Sequence, residues 1–240
     1  MGAAGPAFTA AVFDMDGLLL DSERPTRDAW LIAAAALGVP LTETDYLGVV
    51  GLNHTEARLR LLTLFGGDAN RLDAAGRHAD ATLAAARPFD AKPGAQRLLQ
   101  TLQARGVRCA VASSTHLDEV RRRLQRSGLL EHFGVVCGGD EVRRGKPDPE
   151  LYRLALSRLG VEARHTMAFE DSGPGVQAAL GAGLATVAVP DLKAPAPEWL
   201  ARCRAVLPSL DAACDRSAEW FGAAPHESMR SARARPDPLR

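Results

Sequence analysis

The spacing of apolar positions divides the chain into two kinds of text. From residue 94 onward, short apolar runs alternate with helical patterns. The runs at 107–112, 135–137, 166–169 and 184–189 predict strands, and the stretches 95–105, 116–126, 149–159 and 175–182 predict helices. Ser127-Gly128 and Gly160 supply natural stops. The N-terminal run 10–13 reads as one more strand. Between about residues 24 and 93 no strand pattern is found. Helices are expected at 25–37, 54–64 and 69–86, and Arg87-Pro88-Phe89-Asp90 with Lys92-Pro93-Gly94 reads as a hinge. Alternating strands and helices predict a doubly wound, mainly parallel α/β sheet. The nearly continuous apolar character of the strands predicts burial on both faces.

The simplest organisation is an α/β core formed by residues 1–23 and 94–215. An all-helical domain at 24–93 interrupts it, and a poorly ordered tail at 216–240 follows, with Trp220-Phe221 able to pin its start. With 240 residues and zero formal net charge, nothing global attracts the protein to nucleic acid or an acidic membrane. Any anionic ligand must then be held by local positive groups. The four cysteines form no C-x-x-C pair, and the six histidines show no zinc-type spacing. No apolar run reaches a membrane-spanning length, and the N-terminus lacks the pattern of a secretory signal, so a cytoplasmic enzyme is expected. Only three of the 29 basic residues are lysines: Lys92, Lys146 and Lys193. Lys146 follows Arg143-Arg144, where a third arginine would have served for charge alone.

Ligands of open parallel sheets bind beyond the carboxyl ends of the strands. Asp14 and Asp16 follow the first predicted strand, Ser113-Ser114-Thr115 the second, and the segment leading to Lys146 the third. Glu170 and Asp171 follow the fourth. Each group alone also suits a solvated turn or a helix cap. Taken together, they form a set suited to moving a phosphoryl group. Carboxylates repel a phosphate dianion, and a divalent cation with a lysine removes that repulsion. Magnesium prefers hard oxygen ligands. A second carboxylate beside the nucleophile can protonate the leaving oxygen and then deprotonate a water.

Asp14-Met15-Asp16-Gly17 with Leu18-Leu19-Leu20-Asp21-Ser22-Glu23, Ser113, Lys146 and Glu170-Asp171 resemble, in order and spacing, motifs I to IV of the haloacid dehalogenase-like superfamily. The resemblance spans about residues 8–190. The helical insert resembles a type-1 cap, and the pattern is similar to the β-phosphoglucomutase and sugar-phosphatase subgroup. This resemblance implies that Asp14 forms a phosphoaspartyl intermediate and that Asp16 is the acid/base. It implies Mg²⁺ held by Asp14, the Asp16 backbone carbonyl and Asp171, with Glu170 as a ligand or a group behind the ligands. Ser113, Ser114, Lys146 and Gly17 are expected to hold the phosphoryl group. His54, Thr26 and His116 are candidates for substrate choice. Where β-phosphoglucomutases carry a cap arginine and a histidine for a second phosphate, this chain has His54 and Thr26. That departure favours hydrolysis of a small phosphorylated metabolite over the mutase alternative and over a non-catalytic binding protein. The expected partner is that metabolite, with no nucleic acid or membrane, and the protein is expected to be a monomer or weak homodimer.

Overall fold

The computed structural model describes residues 8–52, 54–86 and 89–222. Six parallel strands form one sheet: β1 (Ala10–Phe13), β2 (Arg108–Ala112), β3 (Val135–Cys137), β4 (Thr166–Glu170), β5 (Ala185–Ala188) and β6 (Ala205–Val206), in the order β3-β2-β1-β4-β5-β6. The strand order reverses beside β1, which pairs with β2 on one side and β4 on the other. That reversal opens a crevice at the carboxyl edge, directly beyond Phe13. The doubly wound parallel α/β fold expected from the alternation is the fold observed.

Alternate residues of β1 serve two cores, as a strand with period two requires. Ala11 and Phe13 face a cluster built with the helices α5 (Ala95–Ala104) and α6 (Leu117–Arg126), while Val12 faces one built with α7 (Glu150–Leu159) and α8 (Gly173–Gly181). Phe13 stacks on Phe169 of β4 with ring centroids 4.8 Å apart. The helix α6 shows why its sequence is helical. Val120 and Leu124, four residues apart, are its buried pair, with Asp118 and Glu119 in the first turn and Arg123 and Arg126 in the last. Those charges complement the helix dipole.

Among the described residues, four helices lie between β1 and α5: α1 (Glu23–Ala36), α2 (Glu43–Leu47), α3 (His54–Leu64) and α4 (Ala69–Ala85). They share a core cluster of their own, with Ala29, Ala33, Phe65, Leu72 and Ala75 at its centre. The chain leaves and re-enters the sheet side by side: the Asp21 N–H donates to the Asp90 carbonyl (2.9 Å) and the Lys92 N–H to the Leu19 carbonyl (2.8 Å). The first crossing carries Arg24 and the second Lys92, and both side chains donate to the Asp191 carboxylate, at 2.8 and 2.6 Å. The two ends of the insert are thus clamped to the connection that follows β5.

The C-terminal part requires a correction. The helices α9 (Pro197–Leu200), α10 (Leu210–Asp215) and α11 (Ser217–Phe221) follow β5, and α11 lies where a loose tail was expected from residue 216. Trp220 is 1% exposed and packs near Phe169, and the Phe8 N–H donates to its carbonyl. The apolar Trp220-Phe221 pair supplies enough buried surface to order residues 216–222. Residues 223–240 of that expectation lie outside the described residues. All four cysteines are free. Among the described residues no helix is long and apolar enough to cross a membrane.

Candidate active site

Asp14 prolongs β1 past its last residue, and its backbone N–H donates to the Phe169 carbonyl of β4 (3.1 Å). Its side chain is buried beneath the crevice. The Lys146 ammonium, 5% exposed, pairs with Asp14 and donates to Glu170 Oε1 at 2.6 Å. Lys146 comes from the loop before α7, and Glu170 closes β4. The ion pair therefore joins three separate stretches of chain.

Every oxygen of Glu170 is engaged. Oε1 also accepts from the Tyr152 hydroxyl (2.8 Å), and Oε2 accepts the backbone N–H groups of Asp171 and Ser172 and the Ser172 hydroxyl, at 3.1 to 3.2 Å. A Cβ on Gly175 would overlap this carboxylate, so glycine is required at that point of α8. Asp171 is the opposite case: it is buried, and its Oδ1 has no hydrogen-bond partner. Its other oxygen lies against Gly17, whose φ of +83° suits glycine and whose missing Cβ leaves room for the carboxylate.

Asp14, Glu170 and Asp171 can each offer one oxygen to a common point, all within 4.8 Å of one another. One ammonium faces three buried carboxylates, so the cluster carries surplus negative charge. Burial, with further repulsion from Glu170 and Asp16, pushes the Asp14 carboxyl well above the usual carboxylate range, against the pull of Lys146. Burial also raises Asp171, reinforced by Asp14, Glu170 and Glu23. Burial works against the Lys146 charge, but Asp14 and Glu170 more than offset it and hold its pKa above the ordinary lysine value. An all-oxygen donor set, an unpartnered buried oxygen and a surplus of negative charge fit a hard divalent cation. Asp14 and Asp171 would hold it, and Glu170, with its lone pairs already used, stands behind them.

Asp16 lies outside that group. Its Oδ1 accepts from Ser22 (2.8 Å) and Arg123 (2.7 Å), and its Oδ2 accepts from Thr115 (2.8 Å) and lies 3.4 Å from the Ser113 hydroxyl. Two carboxylates two residues apart have therefore been given unlike surroundings, a lysine for one and an arginine with three hydroxyls for the other. Ser113 is 1% exposed, Ser114 lines the same cavity as Ser113 and Asp16, and Gly17 lies against Asp171.

A cavity of about 330 Å³ opens above Asp14, Asp16, Ser113, Ser114, Lys146 and Asp171. From the insert, it is lined by Glu23, Val50, Gly51 and Leu52. Of the three candidates for substrate choice, Thr26 and His116 do not line it. Thr26 donates to the Ser22 carbonyl (2.7 Å), because a threonine inside a helix bonds back to the preceding turn. His116 stands just before α6 with no side-chain bond to the helix, exposed, with Nε2 3.3 Å from Asp140. The His54 side chain lies outside the described residues. Three neighbours of the candidate site were given no role from sequence. Tyr152 is buried beneath Glu170, Arg123 reaches Asp16 from α6, and Glu23 stands at the cavity wall. Tyr152 left one signal, since it is one of only two tyrosines in the chain. Arg123 left another, the i,i+4 pairing with Glu119.

A carboxylate and a lysine stand at the switch point of a parallel sheet, with an acidic pair across the crevice and residues of a helical insert lining the cavity above them. The chain belongs to the haloacid dehalogenase-like hydrolase family, whose model matches residues 8–183. It is similar to the phosphorylated carbohydrates phosphatase of Thermotoga maritima, 34% identical over 176 residues, which are 73% of this chain and 82% of that protein. It is also similar to the validoxylamine A 7'-phosphate phosphatase of Streptomyces hygroscopicus subsp. limoneus, 34% identical over 180 residues, covering 74% and 83% of the two chains. The crystal structure of CbbY from Rhodobacter sphaeroides in complex with phosphate superposes with a TM-score of 0.69 at 31% identity, over 85% of this chain and 95% of that one. The protein is an enzyme of the phosphoric monoester hydrolase class within this family.

Proposed function

We propose that this protein is a Mg²⁺-dependent phosphatase that hydrolyses a small phosphorylated carbohydrate through a phosphoaspartyl intermediate on Asp14. The observation that carries this reading is the Lys146 ammonium shared between Asp14 and Glu170, beside the free buried oxygen of Asp171. Bound Mg²⁺ would supply positive charge between the attacking carboxylate and the phosphoryl oxygens, which no side chain besides Lys146 offers at Asp14 among the described residues. An Asp14 oxygen forms the bond to phosphorus as the ester P–O bond breaks. The leaving oxygen takes the proton carried by Asp16. A water then attacks phosphorus and gives its proton to Asp16. The acyl phosphate P–O bond breaks, and Asp14 and inorganic phosphate are released. Lys146, Ser113 and the backbone around Ser114 and Gly17 hold the non-bridging oxygens. Glu170, held by Tyr152 and the Asp171 and Ser172 amides, keeps Lys146 in place.

The carbohydrate class is supported by the names of the relatives, which act on phosphorylated carbohydrates and on validoxylamine A 7'-phosphate. A phosphate-release screen over sugar and nucleotide monophosphates, with and without Mg²⁺, tests the reading. Turnover is expected for sugar phosphates in the presence of the ion and is abolished in a folded Asp14→Asn variant. Undiminished turnover by that variant overturns the assignment of Asp14. Isomerisation of β-glucose 1-phosphate faster than phosphate release would make the protein a mutase instead.

A further inference from the structure

The reaction described above uses Lys146, and Lys92 is held by Asp191. That leaves the third lysine, Lys193, which also lines the cavity. It is exposed, and among the described residues it has no ion-pair partner. It rises from the connection between β5 and α9, on the sheet side of the crevice and not on the insert. Gln177 of α8 and Trp199 of α9 line the same wall.

Three features show that this wall is fixed in place. Prolines stand at 190, 195 and 197 and restrict the backbone on both sides of Lys193. Asp191, two residues before it, is nearly buried and is clamped by Lys92 and Arg24. The Arg202 guanidinium lies 5.0 Å from the centre of the Trp199 ring and supports it from within the same segment. Elsewhere around the cavity the charged lining is Asp14, Asp16, Glu23 and Asp171, with Lys146 the one other cation and already paired with Asp14 and Glu170. An unpaired ammonium held at the rim of an acidic cavity attracts an anion that reaches out from the bound substrate. The amide of Gln177 can meet hydroxyl groups, and the indole of Trp199 offers an apolar face to the C–H side of a sugar ring.

We infer that Lys193, Gln177 and Trp199 form a leaving-group subsite that selects carbohydrate phosphates bearing a second anionic group, a phosphate or a carboxylate, at the end remote from the scissile ester. This inference rests on the phosphatase reading given above, which it narrows. Specificity is then shared between the insert, through Val50, Gly51 and Leu52, and a rigid connection of the core itself.

The test compares fructose 1,6-bisphosphate with fructose 6-phosphate, and 6-phosphogluconate with glucose 6-phosphate. Para-nitrophenyl phosphate serves as a substrate without a second anion. Wild type is expected to favour the doubly anionic member of at least one pair. In Lys193→Met the kcat/KM ratio within that pair should fall by about tenfold, the size of one charged hydrogen bond, and Lys193→Arg should recover most of it. The inference is overturned if wild type shows no preference in either pair, or if Lys193→Met leaves the ratio unchanged. Calorimetric binding of the same pairs to Asp14→Asn and to Asp14→Asn/Lys193→Met gives a readout that needs no turnover. If wild type fails to hydrolyse even para-nitrophenyl phosphate, the phosphatase reading falls. The binding ratios then still decide for or against the anion subsite.

Discussion

Glu23 shows what the site demands of a single residue. It opens α1, the first helix of the insert, yet its side chain is mostly buried at the cavity wall near Asp16 and Asp191. Burial first, and then the charges of those two aspartates, push its carboxyl up to about 7, with Arg123 opposing them. In the unfolded chain it would titrate near the ordinary glutamate value of 4.5. Between these values the folded protein keeps a proton that the unfolded chain has released. The contribution of Glu23 to stability is thus intact below about pH 4.5 and is lost as the pH rises through about 7. Glu23→Gln, which keeps the shape and removes the charge, is expected to match wild type closely near about pH 4 and to exceed it near about pH 8 by at most about 3 kcal/mol. Urea unfolding at both pH values in the presence of a chelator measures the difference. A gap of the same size at both would show that the burial of Glu23 carries no charge penalty.

At the scale of elements, what sequence revealed follows from how each element is stabilised. β1 and β3 have the boundaries that apolar periodicity predicts, and β2, β4 and β5 differ by one residue at one or both ends, because strands buried on both faces are apolar throughout. The residues at the carboxyl ends of β1, β2 and β4 were legible for the same reason. A polar residue directly after an apolar strand is already at the crevice. α2, β6, α9 and α10 were not legible. They run for two to six residues, too short for a period to repeat, and α2 rests on the Thr42–Asp45 capping box. The partners of Asp16 were hidden as well, since Arg123 reaches it from 107 positions away in sequence. Trp220-Phe221 pins the start of the tail as expected, but the helical form of α11 was not legible, since five residues are too few for a period to repeat. Trp220 closes the sheet face formed by Phe169, and the Arg216 guanidinium lies 4.9 Å from the centre of its ring. Trp220→Ala is therefore expected to cost about 3 kcal/mol or more in urea unfolding, whereas Trp220→Phe should cost clearly less. Equal, near-zero costs for both would mean that α11 adds nothing to the core.

For the molecule as a whole, charge is balanced globally and unbalanced at one place. The chain has 29 acidic and 29 basic residues, but three buried carboxylates meet a single ammonium at the carboxyl edge of the sheet. Without a cation, the raised carboxyl values of Asp14 and Asp171 mean that part of this repulsion is relieved by bound protons. A divalent cation held there would do the same task with more charge, and only in the folded state, because Asp14 and Asp171 are 157 positions apart in the chain and meet through the pairing of β1 with β4. Two consequences follow. Mg²⁺ must displace protons, so its affinity should rise with pH through the range in which those carboxyls titrate. Binding confined to the folded state must also raise the melting temperature with ion concentration, by an amount equivalent to about 2.7 kcal/mol at a hundred times the dissociation constant. The Asp171→Asn variant removes one charged ligand and keeps the volume, so it should lose most of this stabilisation while remaining folded. A thermal scan of wild type and variant across a Mg²⁺ series, repeated at two pH values, measures both effects together. If the variant gains as much from Mg²⁺ as wild type, or if the wild-type gain is independent of pH, the ion is bound elsewhere and the buried carboxylates are relieved by protons alone.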